Sequence, residues 1–314
     1  MNLQQFRFVQ EAVRRQLNLT ETAKALFTSQ PGISKAILEL EAELGVDIFA
    51  RHGKRLRRVT EPGQQVLRSI DLILREVSNL KRIGEEYALQ DAGTLSIATT
   101  HLEARYFLPP ALAQLRQRYP RVQVLMHQAL PDEAARMLLD DVAEVGLATE
   151  ALSAHPELVT LPCHEWQHVL IVPTGHPLAR DEPLTLEQLA AHSLALYQSG
   201  IAGRARIDQA FARAGLQPVV ALEALDSDVI KTGVRLGLGA GIVAEQSMQD
   251  DPSQSDLVVR PLGHLFGANL TRLAFKRGVY LRRFVLAFAE MLSPQLNAAL
   301  IERAMQGRGS DHQI

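Results

Sequence analysis

Residues 28–35 read TSQPGISK, with a proline and a glycine where a helix ought to begin. The pair Pro31–Gly32 ordinarily marks a turn. Yet Ile33, Ile37, Leu40 and Leu44 recur at spacings of four, three and four, the stripe of an amphipathic helix. Both readings hold if the helix starts here. Ser29 is a good N-cap, and Pro31 falls in the first turn, where its missing N–H costs nothing. Gly32 leaves room for a close approach, to the preceding helix or to a nucleic-acid backbone. Upstream, Leu3, Phe6, Val9 and Val13 give a first helical stripe. A second short helix is expected over 21–26, capped by Thr20, with Ala23 and Leu26 inward. Three short helices with a tight turn before the third make a helix-turn-helix. The third would enter the major groove by its first residues, Gln30, Pro31, Ser34 and Lys35, flanked by Thr28 and Ser29. Gln30 is suited to a base edge, and Ser34 and Lys35 to phosphates.

The next stretch, IFARHGKRLRRVT (48–60), reads as strand, His-Gly turn, strand. Arg51, Lys54, Arg55, Arg57 and Arg58 place five cations in eight positions with no acid between them. A basic hairpin beside a helix-turn-helix is a wing, which grips phosphates or the minor groove. Charge is segregated accordingly: residues 1–60 hold ten Lys/Arg against six Asp/Glu, and residues 91–314 hold nineteen against twenty-four. The first domain is therefore the one expected to meet a polyanion. From Thr60 a long helix follows, with Val66, Ile70, Ile73, Val77 and Leu80 spaced four, three, four and three. That is the seam of helices that pair, although over about two heptads it also fits packing within one chain.

At 314 residues the chain suits two or three domains, and 46% hydrophobic with 22% charged residues is the balance of a globular protein. No apolar run approaches a membrane span. The N-terminus lacks the layout of a signal peptide, and the single cysteine, Cys163, fits a reducing cytoplasm. A cytoplasmic location is expected.

The run TAKALFTSQPGISKAILELEAELGVDIFARHGKRLRRVTEPGQ resembles the DNA-binding region of LysR-type transcriptional regulators. The pattern A-x-x-L, SQP-x-(I/L)-S, L-E-x-x-L-G and (L/I)-F-x-R is specific to them. The resemblance implies a winged helix-turn-helix over 1–59, a dimerising linker helix over 60–90, and an effector domain shaped like a periplasmic binding protein.

From Gly93 short apolar runs alternate with helical patterns: TLSIATT, VQVLMHQ, VGLAT, HVLIVP and SLALYQ as strands, DEAARMLLDD and 281–292 as helices. This is an α/β domain of two lobes with a mostly parallel sheet. The expected division is 91–162 with 268–295 for the first lobe and 163–267 for the second, followed by a tail over 296–314. A ligand would bind in the crevice between lobes, at the strand ends. GTLSIATTHLEARYFLP, LVTLPCHEW and SDVIKTGVRLGLGAGIVA resemble the LysR-type regulators of sulfur assimilation and cysteine biosynthesis, the CysB group. That likeness implies an activator of sulfur-uptake genes, a homodimer or homotetramer, partnered by double-stranded DNA and RNA polymerase and answering to acetylserines or sulfur anions. It also implies an anion pocket, carried here to Thr99, Thr100 and Thr149, with Trp166 where inducer response is affected. Three positions depart: the group's hydroxyls at 102 and 202 are Leu102 and Ala202, and its amide at 103 is Glu103. Losing donors and gaining a carboxylate weighs against sulfate and suits a ligand bearing an amine. A relative sensing a different small molecule is the alternative.

Other motifs do not carry chemistry. HEWQH (164–168) matches a zinc-protease pattern, which needs both histidines one helical turn apart. Pro162 before it and VLIV after it make this a strand, where His164 and His168 lie ~13 Å apart. A metallohydrolase is thus remote, and neither a metal nor a cofactor is expected. GLGAG (237–241) follows a helix and precedes a strand, the reverse of a dinucleotide loop.

Overall fold

The computed structural model describes residues 1–53, 55–89, 91–149, 151–180, 182–249 and 256–307. The chain forms two compact units, Met1–Glu85 and Glu86–Ile314. The helix-turn-helix and wing belong to the first, and two α/β lobes to the second.

In the first unit, α1 (Leu3–Arg14), α2 (Leu19–Ala25) and α3 (Gln30–Leu44) precede a hairpin of β1 (Phe49–His52) and β2 (Arg55–Val59), and α4 (Glu61–Leu89) follows. Ser29 accepts from Gly32 N at 3.3 Å, so Pro31 does stand in the first turn of α3. The cap of α2 is Asn18, not Thr20: its side chain accepts from Thr20 N and Glu21 N, and the helix begins earlier than expected. Asn is the better cap because its carbonyl reaches both orphan amides. Ile33, Ile37 and Leu40 of α3 are fully buried with Phe6, Val9 and Ile48. The hairpin turns at His52–Gly53, with Gly53 left-handed as such a turn requires. Lys54, expected in the wing, lies outside the described residues.

The seam on α4 is divided. Ile70 is 2% exposed and, with Val66 packed beside it, belongs to the first unit's own core. Ile73 and Leu80 are exposed, together with Leu72, while Val77 is half-buried. The first half of the stripe is therefore consumed by the domain that precedes it, and only the second half is left open.

The second unit contains β3 (Gly93–Thr99), α5 (Leu108–Arg118), β4 (Val122–Gln128), α6 (Pro131–Leu139), β5 (Val145–Ala148), β6 (Leu158–Pro173), α7 (Leu186–Ala190) and β7 (Leu194–Tyr197). It continues with α8 (Arg204–Arg213), β8 (Val220–Ala224), α9 (Ser227–Arg235), β9 (Ala240–Ala244), β10 (Leu257–Pro261) and α10 (Gly263–Phe266). The last elements are β11 (Ala268–Lys276), α11 (Arg283–Leu292) and α12 (Ala298–Met305). The strands run β4-β3-β5-β11-β6-β9-β7-β8, with β10 on the free side of β6. The sheet is mixed rather than mostly parallel: β3, β4 and β5 are parallel, as are β7, β8 and β9, but β6 and β11 run against their neighbours. Those two strands carry the chain from lobe to lobe and back, which sets their direction.

The outward crossing does not fall near Pro162. Residues 158–167 of β6 pair with β11 and residues 168–173 with β9 and β10, so one 16-residue strand serves both lobes. Pro162 is tolerated because the ladder shifts register beside its partner, Arg272. Nor does the first lobe end at residue 295. Leu296 and Ile301 are buried in one cluster with Phe288 and Leu95, so α12 covers the lobe I core. An apolar stripe of Ala, Leu and Ile over 298–305 gains more by burial than a solvated tail would. The last residues, 308–314, lie outside those described.

Candidate functional site

In the first unit, α3 presents Gln30 and Ser34 half-buried and Thr28, Ser29, Pro31 and Lys35 exposed. The hairpin adds Arg55, Arg57 and Arg58, all exposed, alternating with the buried Leu56. Arg51 is different. Its guanidinium meets Glu41 Oε2 at 2.8 Å, and Glu41, 5% exposed, also accepts from Ile48 N at 2.9 Å and Phe49 N at 3.0 Å. Arg51 thus fastens the wing to α3, with its charge already paired inside the domain.

In the second unit, a cleft of about 310 Å³ opens between the lobes. Thr100, His101 and the 128–131 segment line it from lobe I, and Ile201, Leu225 and Asp226 from lobe II. These positions follow the carboxyl ends of β3, β4, β7 and β8, where parallel strands of an open sheet leave a crevice. Its acidic lining residues are Glu133 and Asp226, and no Lys or Arg is among the residues that line it.

Beside the cleft, hydrogen bonds through Thr271 link four of the seven expected effector residues, Thr100, Glu103, Thr149 and Trp166. Thr100 is 7% exposed and donates to Glu103 in a very short contact. Thr271 Oγ1 donates to Glu103 at 3.1 Å, Thr149 reaches it at 3.5 Å, and Trp166 Nε1 donates to Thr271 at 3.2 Å. Thr99 is fully buried, its hydroxyl without a partner among the described residues. Leu102 and Ala202 lie with Trp166 in one buried apolar cluster. Glu103 was expected to face a ligand's amine. It does not: it is 1% exposed and turned inward on a π-helical turn, Glu103–Phe107, away from the open lining. Burial pushes its carboxyl above the usual range, against the pull of the threonine hydroxyls. Thr271 was missed by sequence reading, since nothing marks one threonine within the strand TRLAFK.

The histidines of HEWQH lie on β6 and serve separate purposes. His164 stacks on Phe107 at 4.7 Å. His168 is fully buried and donates Nε2–H to the Ala202 carbonyl at 2.9 Å, which leaves Nδ1 to accept from Asn269 at 3.3 Å. Burial holds its pKa down at about 4. That bond secures the loop 200–203, where Gly200, Ala202 and Gly203 all have positive φ. A side chain at Gly203 would meet Asn269 Oδ1 at 2.1 Å. Cys163 is a half-buried thiol pushed up to about 12 by burial and then by Glu103, which disfavours its thiolate. His101, Asp226 and Asp228 bring ligand atoms within 4.8 Å of one another at the cleft, but Asp228 already pairs with Lys231 at 2.8 Å, so a metal would have to displace a cation. Among the described residues no helix is long and apolar enough to cross a membrane.

Comparison with known proteins agrees with both halves. Residues 3–64 match the bacterial regulatory helix-turn-helix protein, lysR family, and residues 88–297 match the LysR substrate binding domain. The chain is 52% identical over 314 residues, the whole of both chains, to the HTH-type transcriptional regulator CysB of Burkholderia cenocepacia. It is 47% identical to the regulator SsuR of the same organism, over 96% of this chain and 97% of that one. Among solved structures it resembles the cofactor-binding domain of the Cbl transcriptional regulator, at a TM-score of 0.66 and 45% identity, over 68% of this chain and 93% of that one.

Proposed function

From the membership of this chain in the LysR family of transcriptional regulators, which are not enzymes, we propose that it activates genes of sulfur assimilation and cysteine biosynthesis in response to a small ammonium-bearing compound such as O-acetylserine. As a LysR-type regulator it binds DNA and a small-molecule effector. On our reading, Gln30 contacts a base edge, Ser34, Lys35, Arg55 and Arg57 hold phosphates, and the open half of the α4 seam (Ile73, Val77, Leu80) pairs with a second copy. A homodimer or homotetramer in the cytoplasm, recruiting RNA polymerase at the promoter, completes the reading.

One observation carries the effector class: the inter-lobe cleft has Glu133 and Asp226 in its lining and neither Lys nor Arg. Such a lining attracts an ammonium and repels a dianion. Effector binding then shifts the population of lobe arrangements by as much as its affinity differs between them. The test is a thermal-shift panel on the full chain with O-acetylserine, N-acetylserine, cysteine, thiosulfate and sulfate. O-Acetylserine at ~100 times its Kd should add ~2.7 kcal/mol. N-Acetylserine, which lacks the ammonium, should do much less. A response confined to the anions would refute the reading.

A further inference from the structure

Glu103 poses a problem that the effector cleft alone does not solve. A carboxyl group buried to this degree is normally paired with a cation, because burying an isolated charge costs several kcal/mol. No basic side chain among the described residues pairs with it. Its partners are three hydroxyls from three separate parts of lobe I: Thr100 beyond β3, Thr149 beyond β5 and Thr271 within β11. The direction of one of them is fixed. The Trp166 indole can only donate, so the Thr271 oxygen accepts its N–H and the Thr271 proton is left to point at Glu103.

Hydroxyls converging from separate elements on one point make a cradle for an oxyanion. Here the cradle touches the cleft, since Thr100 belongs to both. Its neighbours Leu102 and Ala202 supply no further side-chain donor.

We infer that Glu103 is a built-in occupant of an oxyanion subsite formed by Thr100, Thr149 and Thr271, so that a free sulfate-like anion is shut out by the chain's own carboxyl group. An intramolecular ligand competes at an effective concentration that a dilute free anion does not match. The effector therefore meets an already filled cradle and is selected by the rest of the cleft. The inference rests on reading that cleft as the effector site.

Glu103→Ala in the full chain should empty the cradle. Sodium sulfate would be titrated against sodium chloride at matched ionic strength, with wild type as reference because sulfate stabilises every folded protein to some degree. The expected result is a saturable stabilisation of Glu103→Ala, with an apparent sulfate Kd at least ~10-fold below wild type, or about 1.4 kcal/mol. It should vanish in Glu103→Ala/Thr271→Val. A folded Glu103→Ala chain, checked by circular dichroism, that gains no sulfate response would overturn the inference. Glu103→Ser provides the same test where the alanine variant does not fold. If neither folds, wild type decides: a saturable sulfate shift lost in Thr271→Val overturns the inference, and its absence supports it. The effector reading fails separately, on silence of wild type towards ammonium-bearing compounds, which leaves the sulfate arm untouched.

Discussion

Glu41 offers the sharpest test of how the DNA-binding unit is held together. Its carboxylate accepts from Ile48 N, Phe49 N and Arg51 at 2.8–3.0 Å while 5% exposed, so it joins α3 to the first strand of the wing. Bonds to a charged acceptor contribute about 1.5–3 kcal/mol each, though desolvation of the carboxylate offsets part of the sum. Glu41→Ala leaves two amides and a guanidinium without their acceptor and should cost about 3–5 kcal/mol. Glu41→Gln keeps a carbonyl for the two amides and loses the charge facing Arg51, at about 1–2 kcal/mol. Arg51→Ala should cost a similar amount, since it removes the same ion pair. Because a chain of several domains does not unfold in two states, the assay is hydrogen exchange of residues 46–59 in the full protein. Glu41→Ala should lose about two to four decades of protection there, and the two milder variants about one. The reasoning is refuted if Glu41→Ala leaves protection intact. It is equally refuted if Arg51→Ala keeps its protection yet weakens DNA binding as much as Arg55→Ala, for then Arg51 meets phosphate after all.

Other outcomes follow from the same structure. Arg55→Ala should weaken binding to all DNA sequences alike and reduce the slope of log affinity against log salt by about one, whereas Gln30→Ala should relax sequence preference and leave the slope unchanged. Equilibrium binding at several salt concentrations separates the two. Ile73→Asp should leave the fold intact and lower the mass by light scattering, while Ile70→Asp should unfold the first unit by burying a charge in its core. An unchanged mass for Ile73→Asp would remove α4 from the interface. The His168 pKa, depressed to about 4, makes stability pH-dependent. The folded state resists a proton that the unfolded state accepts below ~6.5, so stability is complete above that pH. It should fall by up to ~1.4 kcal/mol per unit towards pH 4 and change little below, and in His168→Gln that component should disappear from a series of thermal melts.

What could be read in advance divides by the range of the interaction. The start of α3 was legible because Ser29, Pro31 and Gly32 act within one turn of helix, and the strand nature of HEWQH because Pro162 and VLIV adjoin it. The pairing of Arg51 with Glu41 was hidden for the opposite reason. Among five cations in eight positions nothing local distinguishes the one whose partner, Glu41, lies ten residues earlier on another element. The stripe on α4 shows the same limit: periodicity says that Ile70 and Ile73 share an apolar face, not that Ile70 is packed into the core with Phe6 and Ile33 while Ile73 and Leu80 stay exposed. Glu103 is the strongest case. Its substitution for an amide suggested a ligand's amine, because a lone acid at a binding site invites a counter-ion. What the chain provides is three hydroxyls at positions 100, 149 and 271, brought together only once β3, β5 and β11 lie side by side in the sheet. A threonine has no spacing rule that announces it as a donor to a residue 168 positions away. The chemistry that selects an effector is therefore written in the part of the sequence that strand order, not local pattern, interprets.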